Sequence, residues 1–238
     1  MVGFTYSQFL LNLANFIVVP SDDPYYRAAL PNIIDDAEQR LYRELDLLAT
    51  RVRATGPLTA LNRNFSLPTG SGTFVVVEQM NVITPQGQTN PDLGTRNPMT
   101  PVSKEVLDSL WSSAAGAGVP SMFAPISQQD WIVGKWPDQA YTVEVVGTIR
   151  PAPLSDTNQT TFLSQYLPDV FFAAALVMSA GYQLNFSPGA DNPAAGMTWE
   201  SHVQTLLSSA KKEEFRKKFG AEGWTSKEPD PIATPPRT

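Results

Sequence analysis

Apolar residues recur with a helical period near the start of the chain. From Tyr6 they fall on one stripe, at Phe9, Leu10, Leu13, Phe16 and Ile17. Thr5 stands before the stripe as a residue type that caps helices, and Pro20 follows it. The pattern predicts a first helix that begins at Tyr6 and ends before Pro20.

A second helical pattern follows the sequence SDDP, which offers an aspartate cap and then a proline at the first helical position. We predict that this helix restarts behind Pro31 and runs to Arg53, before the Gly-Pro pair at 56 and 57 ends it. Its inner stripe is Ile34, Ala37, Leu41, Leu45 and Leu48. Asp36 and Arg40 have the spacing of a helical ion pair and fall on the outer face.

Between Leu58 and Leu154 the apolar residues recur at every second position, and prolines also become frequent. The segment GTFVVVEQMNVIT is typical of a strand, and DWIVGK and AYTVEVVGTI are typical of a hairpin joined through WPDQ. Alternate residues of the last segment share one face: Tyr141, Val143, Val145 and Ile149. We therefore predict a small antiparallel sheet.

Two segments interrupt the strand pattern. TPVSKEVLDSLW predicts a short helix with Thr100 as its cap and Pro101 as its first residue. The residues before it, from Thr84 to Pro101, predict one long polar loop. Loops of that length are usually functional or disordered, so this loop is a candidate contact region.

The helical period returns after Asp156. Pro168 opens a helix that is predicted to reach Asn185, and a last helix ends at Gly220, a residue type favoured just beyond a helix. The element order predicts a mainly α fold with a four-helix core made of residues 1–57 and 155–219. A β-rich insertion at 58–154 interrupts this core, and an extended C-terminal arm at 220–238 follows it.

The composition of the chain argues against several classes of function. A net charge of -6 argues against sequence-independent nucleic-acid binding, which requires a surplus of lysine and arginine. The sequence has no cysteine, so disulfides and thiolate metal sites are excluded. No apolar run reaches the roughly 18 residues of a membrane span, and the N-terminal apolar stretch lacks the basic region of a signal peptide. We predict no membrane span.

Catalytic residue types are sparse. His202 is the single histidine, so neither a Ser-His-Asp triad nor a two-histidine metal motif is available. The pairs Asp22 with Asp23 and Asp35 with Asp36 suit helix N-termini better than a metal site. The glycine stretches PTGSG and AAGAG lack the lysine and hydroxyl of a phosphate-binding loop. We predict no catalytic residue, cofactor or metal, and expect that the protein is not an enzyme.

The basic segment KKEEFRKK also has a structural interpretation. Glu213 with Lys217 and Glu214 with Lys218 are both spaced and oriented for ion pairs along a helix. The segment therefore predicts a solvated helix face rather than a nucleic-acid patch.

The residues from Gly220 to Thr238 have a different composition. They contain one aromatic residue, frequent prolines and no apolar period, so they are predicted not to fold unaided. Fully extended they would reach on the order of 60 Å, and tryptophan is a favoured hot-spot residue. We predict a docking arm with these contact residues: Gly220, Trp224, Pro229, Pro231, Ile232, Pro235 and Pro236. A tail that folds back on its own subunit is the alternative.

The order of these segments resembles the head-to-tail adaptor proteins of tailed bacteriophages, particularly short-tailed ones. The resemblance rests on the helix IIDDAEQRLYRELDLL, the sheet insertion, the alanine-rich YLPDVFFAAALVMSAGY, and the helix ending AKKEEFRKKFG before an extended arm. It covers nearly the whole chain.

The resemblance implies a structural virion protein at the neck, assembled in the host cytoplasm. It implies a ring of twelve copies that joins the portal vertex to the tail and lets DNA pass without sequence-specific binding. The arm would dock onto the portal protein, and the helices at 31–53 and 168–185 would pack the ring. The loop from Thr84 to Pro101 and the β-rich region would contact a tail nozzle or fibre protein, or hold neighbouring copies together.

Three other functions remain open at this point. The chain could be a tail nozzle or fibre-attachment subunit, which belongs to the same structural class. A virion-associated hydrolase would need an acid and base cluster that the sequence does not indicate. A cellular regulatory domain that binds its partner through the arm is the third alternative.

Overall fold

The computed structural model describes residues 3–182 and 195–222. The chain divides into two compact units, one made of Met1–Leu48 with Ala152–Thr238 and the other of Ala49–Pro151. The α-helices of the described ranges are α1 (Tyr6–Phe16), α2 (Pro24–Glu44), α3 (Lys104–Leu110), α4 (Phe162–Tyr166), α5 (Pro168–Tyr182) and α6 (Ala195–Glu222). Their strands are β1 (Arg51–Leu58), β2 (Asn64–Ser66), β3 (Thr73–Thr84), β4 (Thr95–Pro98), β5 (Thr100–Pro101), β6 (Met122–Pro125), β7 (Asp130–Gly134) and β8 (Tyr141–Arg150).

The first helix forms as its sequence predicts. Thr5 and Gln8 form a capping box, in which each side chain accepts a hydrogen bond from the other residue's backbone N–H. The buried face of α1 includes Phe9, whose ring stacks on Phe171 of α5 with 4.7 Å between ring centroids. These contacts place α1 in the core of the helical unit, which also takes in α2, α4, α5 and α6.

The second helix differs from its prediction at both ends. Asp23 is the cap, as expected, and its Oδ1 accepts a hydrogen bond from the N–H of Tyr26 at 2.8 Å. The predicted restart at Pro31 is wrong because α2 runs through that proline without a break. The predicted end at Arg53 is also wrong, since α2 stops at Glu44 and residues 51–58 form β1. Side-chain exposure alternates over residues 51–55, so the strand period decides the local structure.

The second unit contains two four-stranded sheets, each with its own strand order. The first sheet has the order β1-β8-β3-β4, with antiparallel neighbours throughout. The second sheet has the order β2-β7-β6-β5, in which only the short β5–β6 pair is parallel. Buried side chains from both sheets form one apolar core, to which Phe74, Val143 and Phe123 belong.

The strands at 130–134 and 141–150 form where they are predicted, but the predicted hairpin between them is wrong. The first, β7, lies in the second sheet, and the second, β8, is a central strand of the first sheet. Tyr141, Val143, Val145 and Ile149 are all buried, as their alternation predicts. The WPDQ segment therefore connects two sheets instead of turning within one.

The region from Thr84 to Pro101 is more ordered than the predicted polar loop. Residues 95–98 form β4 and pair with residues 81–84 of β3, so the true loop is only 85–94. Thr100 and Pro101 form β5, and the helix that follows is capped at Ser103. The predicted cap at Thr100 is wrong because that residue pairs with Met122 in the second sheet.

The predicted fold class is therefore wrong. The protein is 42% helical and 24% strand, with two four-stranded sheets, and is not a mainly α protein built on a four-helix core. The difference arises because β1, β4 and β5 come from segments that the sequence patterns assign to helix or loop. Two packed sheets bury a core of their own, so this region is a layered unit in its own right.

Helix α5 begins where it is predicted, and helix α6 ends close to its predicted end. Pro168 opens α5, which is described as far as Tyr182. The final helix, α6, continues two residues past the predicted end at Gly220, to Glu222. Within the described ranges no helix is long and apolar enough to cross a membrane.

Candidate functional site

The residues of the predicted docking arm fall almost wholly outside the described part of the chain. Gly220 lies within α6, so it does not begin an extended segment. Trp224, Pro229, Pro231, Ile232, Pro235 and Pro236 lie outside the described residues. The arm therefore stays a prediction, and its first possible residue moves to position 223.

A cleft of about 280 Å³ lies beside the last three turns of α6. Its lining residues are Glu44, Asp46, Lys211, Glu214, Phe215 and Lys218. The Lys218 ammonium contacts the Asp46 carboxylate, and Phe215 is 59% exposed. This region thus combines charge of both signs with an accessible aromatic ring.

The α6 face next to this cleft is only partly solvated. Glu214 is buried and accepts a hydrogen bond from the N–H of Leu48 at 3.1 Å. Lys217 contacts both Glu213, at 2.8 Å, and Glu214, at 2.7 Å. The prediction of a Glu213–Lys217 pair is confirmed, whereas the predicted Glu214–Lys218 pair is wrong because Lys218 binds Asp46 instead. Glu214 joins α6 to the chain that follows α2.

The most extensive ion-pair network lies on the outer face of the first sheet. Glu144 of β8 is 2% exposed and accepts hydrogen bonds from Asn81 Nδ2 at 2.8 Å and from Arg96 Nε at 3.0 Å. Arg96 also reaches Asp92 at 2.6 Å, and Arg53 of β1 donates to both Asp92 oxygens at 2.8 and 3.0 Å. Strands β1, β8, β3 and β4 are thereby connected to the loop at 85–94.

The electrostatics of this network favour a charged Asp92. The hydrogen bonds from Arg53, and next those from Arg96, lower the pKa of Asp92 to about 2. A charged Asp92 therefore faces two guanidinium groups at neutral pH. Charge-assisted bonds of this kind fix geometry well, so the loop is held in one position.

The network holds an exposed leucine at the end of the loop. Leu93 follows Asp92 directly and is 75% exposed. Gly94 sits so close to the sheet that an added Cβ would lie 3.0 Å from the carbonyl oxygen of Thr84. The loop thus presents an apolar side chain from a backbone that ion pairs hold in place.

A second buried carboxylate lies in the helical unit. Glu38 of α2 is 2% exposed and accepts hydrogen bonds from the N–H of Leu154, at 3.2 Å, and from the hydroxyl of Thr161, at 3.2 Å. Burial raises the pKa of Glu38 to about 7, although both hydrogen bonds act in the opposite direction. Burial also raises the pKa of Tyr42, one turn further along α2. Glu38 connects α2 to the segment that returns from the second unit.

The other titratable residues named from the sequence have local roles. His202 is exposed and its ring lies edge-on to Trp199, with centroids 5.8 Å apart. Asp23 caps α2, and Asp35 accepts a hydrogen bond from Gln39 at 2.6 Å. In the part of the chain that the structure describes, no three His, Cys, Asp or Glu residues converge as metal ligands would.

Sequence reasoning missed the network around Glu144. The sequence patterns predict a helix for Arg53 and a loop for Asp92 and Arg96, so they do not predict that the three residues meet. The signal was the alternation Arg51-Val52-Arg53, which places two arginines on the same face of a strand. Glu144 also stands among Val143, Val145 and Val146, where a buried carboxylate requires a polar or charged partner from a neighbouring strand.

The fold and these surfaces define a two-unit α+β protein with ion-paired networks on both units. Residues 4–222 match the family described as SU10 adaptor protein, and the chain belongs to that family. It is therefore a bacteriophage adaptor protein, a structural component associated with the virion. The resemblance to phage adaptors is confirmed at this level, and no curated protein matches the chain.

Proposed function

We propose that this adaptor forms a ring that joins the portal vertex to the tail of a short-tailed phage and continues the DNA channel. The observation that carries the proposal is the family match, which covers residues 4–222 and leaves residues 223–238 directly after α6. In this proposal those residues are the arm that docks onto the portal. Twelve copies form the ring, as the resemblance to head-to-tail adaptors implies.

The composition of residues 223–238 supports a docking role. Sixteen extended residues span on the order of 50 Å, which is enough to cross the face of a neighbouring subunit. The segment carries Trp224 together with four prolines, at 229, 231, 235 and 236. Proline restricts the free chain and so lowers the entropy lost on binding, while tryptophan offers a large apolar contact.

The net charge supports the channel role. At -6 per copy, a ring repels the phosphates of DNA, so the nucleic acid passes without being retained. The loop at 85–94, which holds Leu93 exposed, is the surface that we assign to the tail nozzle or fibre protein. Its fixed geometry suits a contact that forms once and persists in the virion.

The test is to delete residues 223–238 and measure incorporation of the adaptor into portal-containing particles. The deletion begins after Glu222 so that α6 stays intact. We expect a folded protein that no longer joins the particles, and a weaker loss for Trp224→Ala. Tyr25→Ala is the matched control, because Tyr25 is an aromatic residue that is 78% exposed on α2.

Circular dichroism would first show that all three variants fold. Normal incorporation of the deletion variant would overturn the docking role of the arm. Equal losses for Trp224→Ala and Tyr25→Ala would overturn the specific role of Trp224.

A further inference from the structure

The first sheet has two open edges. Strand β1 is the outermost strand on one side. On the other side β4 pairs only with residues 81–84 of β3, so the N-terminal half of β3, residues 73–79, has no strand neighbour other than β8 within residues 3–182 and 195–222. We call residues 73–79 the open half-strand. Seven residues are enough for a strand of ordinary length.

The open half-strand has accessible apolar side chains at its centre. Val75 is 50% exposed and Val76 is 53% exposed. Among the described residues, the backbone groups of 75–79 make hydrogen bonds only towards β8. The carbonyl of Phe74, just before these residues, accepts a hydrogen bond from Gln128 Nε2 at 3.4 Å.

The two edges differ in how they are protected against pairing. Edge strands are commonly protected by charged side chains and proline, and β1 carries Arg51, Arg53 and Pro57. The open half-strand carries one charged residue, Glu78, and has neither lysine, arginine nor proline. Its irregularity is limited to two register shifts against β8, between Phe74 and Val76 and between Val77 and Gln79. The open half-strand is thus the less protected edge, and its charge is opposite to the two charges on β1, so a basic strand suits it as a partner.

We propose that β1 of a second copy of this chain adds to the open half-strand and extends the first sheet from copy to copy. Strands β1 and β3 are each antiparallel to β8, so they run in the same direction. A second copy related by a small rotation therefore brings its β1 alongside β3 as a parallel neighbour. The backbone groups on both edges then gain hydrogen-bond partners.

Charge complementarity favours β1 as the occupant. Within one copy, Arg51 Nη2 lies 2.6 Å from Glu78 Oε2 although β8 separates their two strands. In the extended sheet, the second copy's Arg51 and Arg53 lie one strand spacing of about 4.8 Å from β3, half the separation within a copy. Glu78 is then placed between arginines on both sides. Residues 223–238 are a poorer occupant, because their four prolines cannot donate to a strand ladder.

The contact is heterologous, since one copy contributes β3 and the next contributes β1. Contacts of this type form a closed ring when the rotation between copies closes. The inference therefore rests on the ring of the proposed function and names the surfaces that build it.

The absence of cysteine from the sequence makes a clean cross-linking test possible. The double variant Thr55→Cys with Val76→Cys places one thiol near the middle of each edge, at exposed positions. Virions carrying this variant are treated with a short bis-maleimide and analysed by denaturing gel. We expect a ladder of cross-linked multimers from the double variant and only monomer from each single variant.

Two outcomes would overturn the inference. One is an incorporated double variant that stays monomeric, and the other is dimer formation by Val76→Cys alone, which would show β3 paired with β3 about a two-fold axis. Deletion of 223–238 tests the portal contact separately, so a double variant that enters virions without cross-linking contradicts this interface and leaves the arm proposal standing.

A second variant tests the same edge without cross-linking. Val76→Lys places a charge on the open half-strand, and we expect at least a tenfold drop in adaptor copies per particle. Val106→Lys is the matched control, because Val106 is a 43% exposed valine of the same unit on α3. Normal incorporation of Val76→Lys would contradict the proposal.

Discussion

Arg40 on α2 binds Glu200 on α6 through two parallel hydrogen bonds, with Nη1 2.7 Å from Oε2 and Nη2 2.6 Å from Oε1. The third guanidinium nitrogen, Nε, donates to Glu44 Oε1 at 2.9 Å. Arg40 and Glu200 are 160 residues apart in the sequence, so their ion pair is a tertiary contact. The expected partner, Asp36, is not used, because the fork of Arg40 faces α6.

The Arg40–Glu200 pair supports a first prediction. Arg40→Lys keeps the charge but removes the two-point geometry, so we expect a loss of about 1 kcal/mol in the free energy of unfolding. The loss is small because the Glu200 side chain is 39% exposed. Urea denaturation at neutral pH measures it, with Arg43→Lys as the control, since Arg43 donates an exposed hydrogen bond to Gln39 of its own helix. Equal effects of the two changes would contradict the tertiary role of Arg40.

The same pair predicts a pH dependence. The hydrogen bonds from Arg40, and next that from Gln204, lower the pKa of Glu200 to about 2. A lowered folded-state pKa gives stability that is present above the unfolded value near 4.5 and is lost as the pH falls towards 2. Glu200→Gln should remove this contribution, which unfolding curves at pH 6 and pH 3 would show. The prediction would be contradicted if Glu200→Gln lost as much stability between pH 6 and pH 3 as the wild type does.

Glu38 predicts the opposite pH dependence. Its pKa is raised from 4.5 to about 7, so the folded protein retains a proton that the unfolded chain releases. Stability from this group is full below pH 4.5 and is lost as the pH rises through 7. Relative to wild type, Glu38→Gln should gain roughly 3 kcal/mol in unfolding free energy between pH 4.5 and pH 8.

Glu38→Ala distinguishes titration from packing. It removes the acceptor for Leu154 and Thr161, so we expect a lower free energy of unfolding at every pH. The difference between Glu38→Ala and Glu38→Gln should stay constant as the pH rises, because neither side chain titrates. A constant difference between wild type and Glu38→Gln across this range would show that Glu38 does not titrate there.

The loop at 85–94 gives a prediction for local stability. Asp92→Asn weakens the bonds to Arg53 and Arg96, so the loop should open more often and expose the bond after Leu93 to chymotrypsin. We expect cleavage there to become several-fold faster while cleavage at sites in the helical unit stays constant. Mass spectrometry of the first fragments identifies the site. Asp138→Asn is the control, because Asp138 lies outside the network and accepts a hydrogen bond from Tyr141. An unchanged rate would mean that the ion pairs do not hold the loop.

The helical unit could be predicted from sequence because its signals are local. Thr5 with Gln8 and Asp23 with Pro24 mark helix starts, and a 3.6-residue stripe follows each of them. The continuation of α2 through Pro31 was not predictable, since it depends on buried neighbours such as Leu30 and Ile34 packing in the core. Local rules identify a helix, whereas tertiary contacts decide whether a proline ends it.

The sheets could not be assembled from sequence because strand pairing is non-local. The segments of β7 and β8 each show strand character, yet each pairs in a different sheet. The candidate site depends on the same pairings: Arg53 meets Asp92 at a separation of 39 residues, and Asn81 meets Glu144 at 63. Periodicity assigns such residues to a face of a strand, but the neighbouring strand determines their partners.

Gly147 of β8 gives the last prediction. It lies against the bulged part of β3, where an added Cβ would overlap the carbonyl oxygen of Val76 and lie 3.1 Å from the Cα of Val77. Backbone atoms cannot move aside as a side chain can, so Gly147→Ala should separate β8 from β3 and cost about 2 to 3 kcal/mol. Gly70→Ala is the control, because no atom lies within 4 Å of the added Cβ there. Thermal unfolding of both variants measures the effect. Gly147→Ala should also reduce cross-linking through Val76→Cys, since the open half-strand depends on β8 for its position. Similar melting temperatures for the two variants would contradict the close approach of these strands.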